Sequence, residues 1–163
     1  FAHAEAVVNH LNQRRAAGNA DAQFSLGIMY QEGKGVEKSE VEAGKWFLKA
    51  AERGNGQAQC ILGMMYKEGK GISQDYTESV KWYRQAAARG IAYAQIRLGL
   101  NYTQGRGVAR DPLQAYKWFY IAAEGGSDSA KKALKINSQG MTPSQIDEAV
   151  RLAKEEKIIK EEQ

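Results

Sequence analysis

Small and apolar residues recur along this chain with a period of 36 residues. Residues 58–72 read AQCILGMMYKEGKGI, the copy 36 residues earlier reads AQFSLGIMYQEGKGV, and the copy 36 residues later reads AQIRLGLNYTQGRGV. Each copy is followed by a tryptophan and then by an alanine pair, as at Trp46 and Ala50-Ala51. Self-similarity at a fixed period of this length is typical of repeat arrays, so the sequence predicts three consecutive repeats.

Each repeat is predicted to begin with an amphipathic helix. In the first copy, Ala22, Leu26 and Tyr30 are spaced at i, i+4 and i+8, which places them on one helical face. A glycine follows and is predicted to end the helix in the left-handed conformation, where a side chain is costly. The predicted helices cover residues 21–32, 57–68 and 93–104, and the terminating glycines are Gly33, Gly69 and Gly105.

A capping box predicts the start of a second helix in each repeat. The first side chain of such a box accepts a hydrogen bond from the backbone amide three residues on, and the second side chain reaches back. The pairs are Ser39 with Glu42, Asp75 with Glu78, and Asp111 with Gln114. Small residues on this helix let neighbouring helices approach, and one tryptophan per repeat fills the space between them. Replacing Trp82 by alanine is therefore expected to cost roughly 3–5 kcal/mol.

The array is predicted to form a single solenoid domain, residues 1–163, with atypical ends. An N-terminal capping helix at 1–18 precedes repeats at 19–54, 55–90 and 91–126, a partial fourth repeat at 127–140, and a C-terminal capping helix with a tail at 141–163. Thr142-Pro143-Ser144-Gln145 is a further capping box with proline at the first helical position. Beyond Lys154 the sequence is mostly charged and is predicted to fray.

Charge and composition do not favour a nucleic-acid or an acidic partner. The chain has 23 basic and 19 acidic residues, and its net charge is +4. Because the two signs are interleaved, we expect no nucleic-acid partner. No apolar run is long enough to span a membrane, and a single cysteine, Cys60, excludes an intrachain disulfide framework. We expect a monomer.

The first residues carry a possible signal of export. The sequence does not begin with methionine, and Ala2-His3-Ala4 has the small-x-small form of a signal-peptidase site. An alanine-rich helix start is the alternative interpretation. We expect a periplasmic or secreted protein, with a cytoplasmic location as the alternative.

No catalytic, metal or cofactor site is predicted. The two histidines, His3 and His10, lack a carboxylate or thiolate at a recognised metal-binding spacing. Gly33-Lys34-Gly35 lacks the third glycine of a dinucleotide-binding loop, because Lys38 stands there. Cys60 has no histidine near it in sequence and lies on an apolar helix, which favours a structural thiol. The sequence therefore predicts a protein that is not an enzyme.

The repeat pattern resembles the Sel-one-like repeat (SLR) family, relatives of the tetratricopeptide repeat. The resemblance covers residues 22 to about 134 and rests on A-x-x-x-L-G-x-x-Y-x-x-G-x-G-V/I, followed by W and A-A-x-x-G. It implies an all-α fold, a right-handed α/α superhelical solenoid of antiparallel helix pairs with a 36-residue repeat, acting as an adaptor or scaffold. A cysteine-rich subgroup suggests a hydrolase acting on cell-wall-related substrates as the alternative. This chain lacks those cysteines, since Phe24 and Ile96 stand at the Cys60 position.

The same resemblance predicts a concave face that binds a protein or peptide. Superposing the L-G-x-x-Y core on the tetratricopeptide pattern places four positions of each first helix there. These are Asp21, Phe24, Ile28 and Gln31, then Gln57, Cys60, Met64 and Lys67, then Tyr93, Ile96, Leu100 and Thr103. If the central apolar positions reach the groove, they suit an extended peptide or an amphipathic helix. Burial of these positions between adjacent first helices is the alternative.

A second candidate surface is the set of loops between helices. Basic residues occupy two phases of these loops, namely Lys34, Lys70 and Arg106 in one and Lys38 and Arg110 in the other. They form either a sparse basic edge that binds an anionic polymer or cations that complement the ends of the preceding helices.

Overall fold

The computed structural model describes residue 6, residues 9–10, 12–14 and 17–161, with side chains up to residue 157. Eight helices lie within residues 17–161, and no strand occurs there. They are α1 Ala20–Glu32, α2 Glu40–Glu52, α3 Gly56–Glu68, α4 Tyr76–Ala88, α5 Ala92–Gln104, α6 Pro112–Glu124, α7 Asp128–Ser138 and α8 Pro143–Glu161. The chain divides into two compact units, residues 1–86 and 87–163. The all-α class and the repeat of helix pairs are confirmed, and the prediction of a single domain stays a prediction.

The N-terminal capping helix lies only partly within the described residues. Residue 6, residues 9–10 and residues 12–14 are helical, whereas His3 lies outside them. The described part contacts the first repeat through a hydrogen bond in which the Tyr30 hydroxyl donates to Asn9 Oδ1 at 3.0 Å.

The first helices begin one residue before their predicted starts and end where predicted. Gly33, Gly69 and Gly105 follow α1, α3 and α5 with φ of 71°, 67° and 65°, the left-handed conformation expected of such terminators. The starts of α1 and α3 carry side-chain caps from Asn19 and Asn55, whose Oδ1 atoms accept from amides three residues on at 3.0 and 2.8 Å.

Half of each capping box that opens a second helix is confirmed. Ser39 Oγ accepts from the Glu42 amide at 3.2 Å, and Asp75 and Asp111 accept equivalent bonds. The Ser39 amide that Glu42 was predicted to bind donates instead to the Tyr30 carbonyl at 2.9 Å, and the Glu42 carboxylate accepts from Lys45 Nζ at 2.7 Å.

The box at the start of α8 is complete. Gln145 Oε1 accepts from the Thr142 amide at 2.9 Å, and Thr142 Oγ1 accepts from the Gln145 amide at 3.2 Å.

Close helix packing builds the core of unit 1. Gly27 on α1 and Gly63 on α3 face the rings of Phe47 and Tyr83, both fully buried. A Cβ on either glycine would lie 2.5 or 2.6 Å from the facing ring, so the rings occupy the space that a side chain would need. Trp82 is only half-buried, so the full cost expected for its truncation is not supported.

Unit 2 repeats this packing and adds an ion pair. A Cβ on Gly99 would lie 2.5 Å from Phe119, and Trp118 is 3% exposed. Helix α8 packs against α6, where the buried Lys117 ammonium lies 2.9 Å from Glu156. Helix α8 extends beyond Lys154 to Glu161, and the predicted fraying of this segment stays a prediction.

Candidate partner-binding surfaces

The predicted partner-binding residues at the start of each first helix lie on the surface. Asp21, Gln57 and Tyr93 are exposed. Two of them are held in place, since Asn55 Nδ2 donates to Asp21 Oδ1 at 3.1 Å and the Arg97 guanidinium stacks 4.9 Å from the Tyr93 ring centroid. A partner would meet these side chains in preset positions, which lowers the entropy lost on binding.

In unit 1 the central apolar positions are shared between core and surface. Phe24 and Ile28 are half-buried and pack against the core cluster, and the Phe24 and Phe47 ring centroids are 5.8 Å apart. Cys60 is 9% exposed, whereas Met64 is half-buried. Phe24, Ile28 and Met64 are therefore partly packed and partly accessible to a partner, whereas Cys60 is buried. Gln31 and Lys67, at the last turn of their helices, are half-buried.

In unit 2 two predicted residues border a cleft. Ile96, Leu100 and Thr103 are half-buried on α5. Leu100 and Thr103 line a cavity of about 320 Å³ that opens to solvent and is completed by residues of α6, α7 and the turn after α7. Ile136 on α7 also lines it and is 70% exposed.

Ion pairs reduce the positive charge of the loops. Lys34 Nζ lies 2.6 Å from Glu32, and Lys70 Nζ lies 3.4 Å from Glu40. These pairs leave Lys38 and Arg110, both exposed, as the loop cations that make no ion pair within the described residues. The loops of unit 1 therefore do not present a continuous basic edge.

Titratable groups near the repeat surface show modest perturbations. Burial raises the pKa of the Tyr66 hydroxyl, and the carboxylates of Glu78 and Asp75 raise it further. Burial likewise raises the pKa of Tyr116. Both phenols keep their protons at neutral pH, so they add no charge to the surface.

Within the described ranges, no cluster of three or more His, Cys, Asp or Glu residues is arranged to hold a metal ion. His10 is exposed and Cys60 is buried. None of the helices of the described segment is both long and apolar enough to cross a membrane.

A buried glutamine that was not predicted recurs in every repeat. Gln59 Nε2 donates to the carbonyl of Ala51 at 3.1 Å, and Gln95 Nε2 donates to that of Ala87 at 3.2 Å. Each bond ties a first helix to the end of the preceding second helix. Gln23 occupies the same phase and is 2% exposed. The signal was the 36-residue recurrence of Ala-Gln at 22–23, 58–59 and 94–95.

Comparison with known proteins finds three consecutive copies of a known repeat. The Sel1 repeat matches residues 20–55, 56–91 and 92–127. No curated protein matches the sequence.

Two solved structures are similar to this chain. The crystal structure of a Sel1 repeat protein from Oxalobacter formigenes is 38% identical with a TM-score of 0.76, over 83% of this chain and 56% of that chain. A protective antigen present in uropathogenic Escherichia coli strains, c5321, displays an SLR fold and is 40% identical with a TM-score of 0.72, over 77% of this chain and 27% of that chain. The present chain thus spans about half of the first protein and about a quarter of the second. With three matched repeats and these two structures, the chain belongs to the Sel1 repeat family.

Proposed function

We propose that this chain is a non-enzymatic interaction module of an exported bacterial protein, and that it binds a protein or peptide partner through its first helices. Sel1 repeats are generally modules for protein–protein interaction. The partner-binding positions are the twelve of the predicted concave face, eight on unit 1 and four on unit 2.

One observation carries the proposal: the leucine that recurs in each first helix is buried, whereas the residues at the phase of Asp21 differ between repeats and lie at the surface. Leu26, Leu62 and Leu98 are at most 2% exposed. By contrast, Asp21, Gln57 and Tyr93 share one phase, differ in chemistry and are exposed. Because the recurring residues already account for the packing, the varied surface is free to be selected for a partner.

Both alternative functions lack such support. An anionic polymer would need the loop cations free, but Lys34 and Lys70 are paired with glutamates. The hydrolase alternative rests on a cysteine-rich subgroup whose cysteines this chain lacks, and its single cysteine, Cys60, is buried. The proposal of export is supported by the relative described as a protective antigen, and cell fractionation tests it.

Affinity capture with quantitative mass spectrometry tests the binding proposal. Proteins captured by the wild-type chain should be lost with the double variant Lys67→Glu, Tyr93→Ala and retained with the control Lys38→Glu, Val41→Ala. The control makes the same charge reversal and also truncates an apolar side chain, at two exposed positions elsewhere. Circular dichroism must show both variants folded. Equal capture by all three proteins would overturn the proposed surface, and turnover in a panel of hydrolase assays that one point substitution abolishes would overturn the non-enzymatic assignment.

A further inference from the structure

The cleft in unit 2 is an apolar pocket with an open mouth. Its walls are Leu100 and Thr103 of α5, Pro112 and Phe119 of α6, Ala133, Ile136 and Asn137 of α7, and Gly140 and Met141 of the following turn, with Arg110 at its edge. The volume of about 320 Å³ lies at the lower end of the range of ligand pockets, which suits one or two side chains of a partner.

Ile136 gives the cleft an uncovered apolar wall. It has the phase of Ile28, Met64 and Leu100, which are all half-buried. Ile136 is instead 70% exposed, although Phe119 in the same cleft is only 2% exposed. A partner that covered Ile136 would therefore remove its exposed apolar side chain from water.

The charge around the cleft has one sign. Arg110 is the charged residue among those lining it, and no carboxylate lines it. Lys132 precedes Ile136 by one helical turn, so the two side chains share a face of α7. Both cations are exposed and neither takes part in an ion pair within the part of the chain that the structure describes.

Apart from Arg110, the side-chain hydrogen-bond donors inside the cleft are already engaged. Asn137 Nδ2 donates to the Pro112 carbonyl at 3.1 Å, and Thr103 Oγ1 donates to the Gly99 carbonyl at 3.0 Å. The Arg110 guanidinium therefore remains as the group that can recognise a polar ligand, and carboxylates are its best-matched acceptors.

We propose that this cleft docks an acidic-apolar segment of a protein partner, with a leucine-sized side chain against Ile136 and a neighbouring carboxylate on Arg110. The proposal rests on the proposed function and names a site and a partner chemistry for it. Apolar burial supplies the affinity, whereas the two cations select for negative charge beside the apolar group.

Methyl-resolved NMR of the full chain tests the proposal with a defined probe. The probe is a blocked peptide with two leucines flanked by glutamates, and its matched peptide carries glutamines instead. We expect methyl shifts at Ile136, Leu100 and Met141, and binding of the glutamate peptide about fivefold tighter at low salt. The proposal would be overturned if the glutamate peptide at millimolar concentration caused no shifts at these methyl groups, or if the two peptides bound with equal affinity.

Variants separate the two contributions. Arg110→Gln should abolish the preference for the glutamate peptide, and Ile136→Ser should weaken both peptides by at least about tenfold. The matched controls are Lys38→Gln, at the same phase as Arg110 in the first repeat, and Val41→Ser, which removes a valine that is 54% exposed. If the control variants changed peptide affinity as much as the cleft variants do, the assignment of peptide binding to this cleft would be overturned.

Two further measurements identify a different occupant. Sedimentation that shows a dimer broken by Ile136→Ser, with no competition by peptide, would assign the cleft to a second copy and overturn the proposal. If partner capture needs Lys67 and Tyr93 but is unchanged by Ile136→Ser, the proposed function is supported and the proposal for this cleft is overturned. If no variant affects capture, the proposed function fails and the peptide titration still judges the cleft.

Discussion

Replacing Gly63 by alanine tests the packing on which the repeats depend. A Cβ at this position would lie 2.6 Å from Cδ1 and Cε1 of Tyr83 and 2.9 Å from its Cγ. Real Cβ atoms do not approach so closely, and Tyr83 is 0% exposed. Either the ring or the helix must therefore move.

Two opposing terms set the size of the effect. Overpacking a core costs about 1–3 kcal/mol, and the rigid ring places this site in the upper part of that range. Alanine is about 1 kcal/mol better than glycine inside a helix. We expect a net loss of about 1–2 kcal/mol, which lowers Tm by roughly 3–6 °C for a chain of this length.

Urea and thermal unfolding followed by circular dichroism measure the loss. Gly140→Ala is the matched control, because nothing lies within 4 Å of a Cβ there, and its unfolding midpoint should not change. In a Tyr83→Leu background the same Gly63→Ala substitution should become neutral or stabilising, since the obstructing ring is gone. A Gly63→Ala protein as stable as the wild type, or an unchanged effect after Tyr83→Leu, would refute the packing argument.

Three further predictions follow from burial and charge. Trp118→Ala should cost about 3–5 kcal/mol in urea unfolding and Trp82→Ala measurably less, because Trp82 is half-buried; equal costs would contradict this. Glu156→Gln should cost about 1–2 kcal/mol, discounted because Glu156 is partly exposed, and should speed hydrogen exchange in α8, whereas Lys117→Met should cost less because it leaves no buried charge. Tyr66 has a pKa raised above its ordinary 10.0, so the unfolded chain loses this proton first. Its contribution to stability is complete below that value and is lost as pH rises through the raised pKa, and Tyr66→Phe should flatten the alkaline loss of stability; an identical alkaline profile would exclude this role.

The sequence predicted the helices well because each recurring residue solves a local problem. Gly33 ends a helix by adopting a positive φ, and Ser39 begins one by accepting an amide hydrogen bond. Such effects depend on a few neighbouring residues, so a pattern of residues is enough to locate them. The burial of the Leu26 phase follows equally from helical spacing.

Contacts with residues distant in sequence were harder to predict. Glu42 satisfies the spacing of a capping box, yet the Ser39 amide that it would bind donates to the Tyr30 carbonyl, and the Glu42 carboxylate binds Lys45 one turn later. The spacing of Ser39 and Glu42 does not reveal the contact with Tyr30. The pairing of Glu156 with Lys117 was not predicted either, because it joins residues 39 positions apart.

The limit of the repeat pattern is clearest at Ile136. Its phase marks it as one of the partly covered apolar positions, together with Leu100, and the residues alone give no reason to separate the two. What separates them is the surroundings: Leu100 is half-buried on α5, whereas Ile136 on α7 is 70% exposed at the mouth of the cleft. Equivalent positions in successive repeats therefore share an environment only where the next repeat also keeps the sequence pattern. Where the fourth repeat departs from the pattern, a position that is structural elsewhere becomes available to a partner.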